Sequence, residues 1–125
     1  MARTKSLTLT DLELRLMEVL WHKKAATVAE VVRSLEPSRP LAYNTVLTMM
    51  GILEQKGYLR HRQQGRAFIY EPAVNRRTAE KKEIKNVLRR FFHNSPKLLV
   101  LNLLEQENIS LEELKRTKRM IEEKQ

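Results

Sequence analysis

Asn44, Thr45 and Thr48 stand close together in the run LAYNTVLTMMGILEQKG, residues 41–57. Short amide and hydroxyl side chains at this spacing can hydrogen-bond base-pair edges. An asparagine can bind adenine through two bonds at once, giving roughly 1 to 3 kcal/mol of discrimination. In the same run Val46, Met49, Met50 and Leu53 recur at helical spacing and predict a helix with an apolar row turned to a core. The polar residues then fall on another face near the helix start, where unpaired backbone N–H groups attract phosphate. A helix of this kind has the form of a recognition helix for a DNA major groove. One of the three polar residues could instead cap the helix. Tyr43 could bond a phosphate, touch a thymine methyl, or pack beside the preceding turn.

Other chemistry finds little footing. The chain has no cysteine, which removes disulfides, thiolate catalysis and cysteine-ligated metals. Its three histidines, His22, His61 and His93, are scattered, and His22 with Asp11 and Glu18 forms no triad or paired-carboxylate constellation. We therefore expect neither an enzyme nor a metal site, and no small-molecule cofactor. A net charge of +9 over 125 residues favours an anionic partner. Only 6% of residues are aromatic and no aromatic strand pattern suited to base stacking appears, which argues against an RNA platform. With no apolar run near the roughly 20 residues that span a bilayer, and no apolar signal core, a cytoplasmic protein is expected.

The elements that must hold such a helix are legible on both sides. Thr10-Asp11-Leu12-Glu13 reads as a capping box opening a helix over 11–23, with Leu12, Leu16, Val19 and Leu20 as its stripe. Trp21 at the end of that stripe is read as core, its ring N–H bonded to a nearby carbonyl. Thr27-Val28-Ala29-Glu30 repeats the cap for a short second helix that ends before Pro37, and Pro37 to Pro40 form the turn into the third. Gly57 is expected to end that third helix in a left-handed cap. Lys56 is read as a charge partner for the helix end, with a phosphate contact as the other option.

Extended segments over 58–62 and 67–71, joined by Gln63-Gln64-Gly65-Arg66, predict a hairpin. Its Arg60, Arg62 and Arg66 suit phosphates or a minor groove. The order helix, helix, helix, hairpin gives a mainly α fold: a winged helix-turn-helix over residues 1–73.

Residues 74–125 form a different region. Positions 76–92 look helical, with seven Lys/Arg between 76 and 90, read as a solvated face in preference to a DNA-following one. Ser95-Pro96 opens a very apolar segment, and Ser110-Leu111-Glu112-Glu113 opens a last helix. These helices are too few residues for a self-sufficient core, so pairing with a second copy is expected. Leu88, Phe91, Leu99, Leu101, Leu104, Leu114 and Ile121 would make that dimer interface. A symmetric dimer suits a palindromic DNA site.

The motifs resemble the BlaI/MecI penicillinase-repressor family. The resemblance runs through Leu20-Trp21, Thr27-Val28-Ala29-Glu30-Val31, Leu41-Ala42-Tyr43-Asn44-Thr45-Val46 with Thr48, Lys56-Gly57-Tyr58-Leu59, Gly65-Arg66, Tyr70-Glu71-Pro72 and Leu99-Val100-Leu101-Asn102. It implies a homodimeric repressor of double-stranded operator DNA. It also implies inactivation through a membrane-embedded sensor metalloprotease that responds to a β-lactam, with cleavage between Asn102 and Leu103. The sequence departs at Leu103, where the well-known site has phenylalanine, and at Asn44, where related versions carry threonine or lysine. A winged-helix module for an acidic protein partner, or a repressor answering an unrelated signal, are the alternatives.

Overall fold

Two reciprocal caps set the start of the fold. In the computed structural model, which describes residues 8–123, α1 (Asp11–Lys23) begins where the Thr10 hydroxyl accepts from the Glu13 N–H and the Glu13 carboxylate accepts from the Thr10 N–H. Thr27 and Glu30 repeat this exchange at the start of α2 (Val28–Ser34). Each box satisfies two amide groups that a helix leaves open at its first turn. A turn over 36–40, in which the Arg39 N–H bonds the Glu36 carbonyl at 2.9 Å, leads to α3 (Tyr43–Gln55). Arg15 of α1 donates to the Arg39 carbonyl and ties this turn to the first helix.

The exit from α3 follows from Gly57. Its φ of +87° reverses the chain. The Gly57 N–H then bonds the Glu54 carbonyl at 3.0 Å and the Tyr58 N–H bonds the Leu53 carbonyl at 2.9 Å. This is a Schellman cap, and the buried side chains of Leu53 and Tyr58 supply its apolar contact. At the other end, Leu41 and Ala42 stay outside the helix, with Ala42 at its N-cap.

Strands β1 (Leu59–Gln64) and β2 (Ala67–Pro72) pair antiparallel, with Leu59 opposite Pro72 and Gln64 opposite Ala67. Only Gly65 and Arg66 remain in the loop, so Gln63 and Gln64, expected in the turn, are strand residues. Gly65 takes a φ of +62° while Arg66 stays out of the positive region, the pattern of a type II′ turn. Ala26 bridges Tyr70 through two backbone hydrogen bonds of 2.9 Å, fixing the hairpin's base to the link between α1 and α2.

One core joins these pieces. Leu16, Met17 and Leu20 of α1, Val31 of α2, Val46, Met50 and Leu53 of α3, and Tyr58 are all fully buried. Burying one such side chain is worth roughly 1.5–3 kcal/mol, so these rows fix how α3 is oriented. Trp21 packs against this cluster and its ring N–H donates to the Val74 carbonyl at 2.9 Å, as its sequence position led us to expect.

Helix α4 (Arg76–Phe91) follows. The chain divides into two compact units, the first ending at Glu83 and the second starting at Ile84. Packing ties the first turns of α4 to the first unit: Ala79 is buried in the core, Arg76 pairs with Glu18 beside the Trp21 ring, and Glu83 accepts from the Leu9 N–H at 2.8 Å. The second unit continues into α5 (Pro96–Gln106) and α6 (Leu111–Glu123). Ser95 caps α5 with proline at its first turn, and the Ser110 hydroxyl accepts from Glu113 at the start of α6. Neither α5 nor α6 contains a buried residue.

Candidate nucleic-acid interface

Helix α3 presents its polar row outward because its apolar row faces in. Val46, Met50 and Leu53 are buried, and Tyr43, Asn44, Thr45 and Thr48 are exposed. The residue at the N-cap is Ala42, and no side chain caps the helix. Asn44, Thr45 and Thr48 therefore stand exposed in the helix proper, and none of them serves as the cap. The amides of the first turn stay open toward an anion.

The wing separates its three arginines. Successive strand residues point to opposite faces. Arg60 and Arg62 share one face of β1, while His61 lies on the other, against Phe68 and Tyr70 at ring separations of 4.8 and 5.6 Å. His61 Nδ1 also reaches the Glu54 carboxylate of α3 at 2.7 Å, so this face of the wing is tied to α3. Arg60 is held by Glu71 at 2.9 Å, which lowers the Glu71 carboxyl below its usual value. It lines a depression with Trp21, Lys24 and Asn75, away from the α3 start. Arg62 reaches Gln64 at 3.4 Å. Arg66 alone of the three joins the α3 side: it lines a groove with Tyr43 and Leu47 of α3, Phe68 of β2 and the start of α2.

Leu47 and Phe68, 40% and 44% exposed, are groove residues that sequence reasoning passed over. The signal was available for Leu47, which falls one turn after Tyr43 and off the buried row. For Phe68 it was hidden, because an aromatic residue in a strand ordinarily reads as core.

Lys56 stands at the C-cap of α3, and its side chain has partners that sequence reasoning did not name. Its ammonium group bonds Glu13 at 2.7 Å and the Thr8 carbonyl at 3.1 Å, closing the end of α3 onto the first capping box. Burial pushes the Glu13 carboxyl up, but the bonds from Lys56 and the Thr10 amide outweigh it and hold Glu13 below its ordinary value of 4.5.

In the second unit, Phe91, Leu101, Leu103 and Leu114 are exposed, as is Ile121, and Leu88, Leu99 and Leu104 are half-buried. The Asn102–Leu103 bond lies inside α5, where the Asn102 amide donates to the Leu98 carbonyl at 3.0 Å and its oxygen accepts from Gln106. Among the described residues, no helix is long and apolar enough to cross a membrane, and no cluster of three or more His, Cys, Asp or Glu could hold a metal.

The family model described as penicillinase repressor matches residues 9–123. The chain belongs to the penicillinase-repressor family. Its relatives include the penicillinase repressor of Bacillus licheniformis, 30% identical over 92% of this chain and 90% of that protein. The methicillin resistance regulatory protein MecI of Mammaliicoccus sciuri is 23% identical over 96% of this chain and 98% of its own length. Among solved structures, the DNA-binding domain of the repressor BlaI superposes with a TM-score of 0.51 at 31% identity, over 58% of this chain and 90% of that domain. The winged helix-turn-helix architecture expected from the motifs is thus the observed one; two of these relatives are named as repressors and the third as a regulatory protein, with no enzyme among them.

Proposed function

We propose that this penicillinase-repressor family member is a DNA-binding transcriptional repressor that occupies a palindromic operator as a homodimer in the cytoplasm. One observation carries the reading: the open amino end of α3 displays Asn44, Thr45 and Thr48 on its exposed side, with Tyr43 and Arg66 sharing the adjoining groove. Asn44, Thr45 and Thr48 read base edges. Tyr43, Arg66 and, from the outer wing face, Arg62 hold phosphates, and Arg60 joins them only when it leaves Glu71. Residues 1–73 do the reading and residues 74–125 join two copies.

The exposed apolar side chains of the second unit support that joining role, with Phe91 66% and Leu101 49% exposed in the single chain. Two copies would set half-sites about one helical turn apart, roughly 34 Å, or a multiple of it. Cleavage at Asn102–Leu103 by a membrane-embedded sensor metalloprotease would break α5 and release DNA. The bond must first leave its helix, so cleavage requires local opening of α5.

The experiment is a fluorescence-anisotropy titration against the gene's own upstream DNA and a scrambled duplex near about 150 mM salt. Upstream DNA is expected to bind roughly a thousandfold tighter. Asn44→Ala should erode that ratio, and Arg66→Ala should weaken both duplexes. Equal, weak binding to both, with no site recovered from random duplexes, would sink the repressor reading. Incubation with a cognate sensor protease tests the release step: absence of a fragment ending at Asn102 would assign release to an unrelated signal.

A further inference from the structure

Gly51 lies in the interior of α3, where glycine is less favourable than alanine. The two usual internal reasons for a glycine are missing. Its φ is not positive, in contrast to Gly57 and Gly65. A Cβ built on Gly51 would meet nothing within 4 Å, so no described part of the chain needs the space.

The position of Gly51 gives the reason. Steps of four, three and four residues link Asn44, Thr48, Gly51 and Gln55, which places them in one row along the helix. That row lies across the helix from Val46, Met50 and Leu53, which are buried. Asn44, Thr48 and Gln55 are exposed and Gly51 between them is partly exposed, so a stretch of backbone without a side chain lies in the middle of the outward face. It stands seven residues beyond Asn44, about 10 Å along the axis. A major groove is about 12 Å wide. With Asn44 at the base edges, Gly51 comes level with the sugar–phosphate wall of the groove.

We propose that Gly51 is the point at which a DNA strand packs directly on the α3 backbone, and that its missing side chain sets how deep Asn44 and Thr48 seat. The inference rests on the DNA-binding reading above. A methyl group at this position lifts the helix from the groove wall and draws both reading residues off the base edges. The stability of the free protein and its affinity for DNA then move in opposite directions.

The test uses the full chain with Gly51→Ala and Gly51→Gln, both good helix formers. Without DNA, the melting temperature of Gly51→Ala should rise by about 3 to 8 °C. Its operator Kd should weaken about tenfold or more, the scale of overpacking a fitted contact, and Gly51→Gln should weaken it further. An operator Kd for Gly51→Ala within twofold of the parent overturns the proposal. A fall in melting temperature does so too, since the glycine would then serve the fold. A shift in the monomer–dimer equilibrium without DNA also overturns it, by assigning Gly51 to self-association. If the parent chain binds no duplex at all, the DNA-binding reading itself has failed; parent binding with an unaffected Gly51→Ala removes only this inference.

Discussion

At the scale of single residues, polarity was a good guide to exposure and a poor guide to partnership. Asn44, Thr45 and Thr48 were legible because the buried residues of α3 leave them one side to occupy. Lys56 was not, since its partner Glu13 is 43 positions away and was already accounted for by a local cap. That pair carries a prediction. Glu13 is 4% exposed and its folded pKa is lowered, so its stabilisation is complete above the ordinary value of 4.5 and fades as pH falls through the folded pKa. Replacing it, Glu13→Gln, leaves the Lys56 ammonium group without its counter-charge and should cost about 2 to 3 kcal/mol at neutral pH. Urea unfolding at several pH values should show the variant losing less stability than the parent on acidification below 4.5. Parallel acid limbs for the two proteins would remove Glu13 as a source of acid sensitivity.

At the scale of elements, caps were read correctly wherever the signal was local. Thr10, Thr27, Ser95 and Gly57 all cap as their neighbours in sequence indicate. The Gly57 cap predicts that Gly57→Ala, forced into a φ near +87°, destabilises by about 1 kcal/mol or more, measurable as a lower urea midpoint at unchanged slope. The hairpin was harder. Alternation marks a strand with one buried face, but most of β1 is exposed, so Gln63 and Gln64 carried no strand signal. The Ala26–Tyr70 bridge was likewise silent, because one backbone pair leaves no pattern in side chains.

The contact between His61 and Glu54 links the wing to α3, and it was invisible until the two elements were brought together. Glu54→Ala should lower stability by less than about 1 kcal/mol, as for other half-exposed pairs. It should nevertheless speed amide exchange in β1 and β2 and, if the wing holds phosphates as proposed, weaken operator and scrambled DNA alike, since phosphate contacts carry no sequence information. A selective loss on the operator alone would mean that the wing helps to read sequence.

At the scale of the whole molecule, the two units differ in how they satisfy apolar residues. The first buries its rows within the chain, and the second leaves Phe91, Leu101, Leu103 and Leu114 open while α5 and α6 bury nothing. The sequence pointed to this contrast through the count of residues available for a core. The burial of Ala79 and the bond from the Leu9 N–H to Glu83 left no such trace, because both look like ordinary surface positions in a basic helix.

If the open side chains pair two copies, operator affinity is the product of two modest half-site contacts joined at high effective concentration. Leu101→Glu places a charge in that pairing surface without touching α3 or the wing. It should yield monomers by sedimentation, leave affinity for an isolated half-site unchanged, and lower affinity for the full palindrome by roughly 10² to 10⁴. Arg66→Gln should act differently, reducing the slope of log affinity against log salt by about one per protomer on any duplex. The two variants thus separate the roles of the units: one removes linkage while keeping the contact, the other removes a contact while keeping linkage. A Leu101→Glu protein that remained dimeric and bound the palindrome at full strength would move the joining surface elsewhere on the chain.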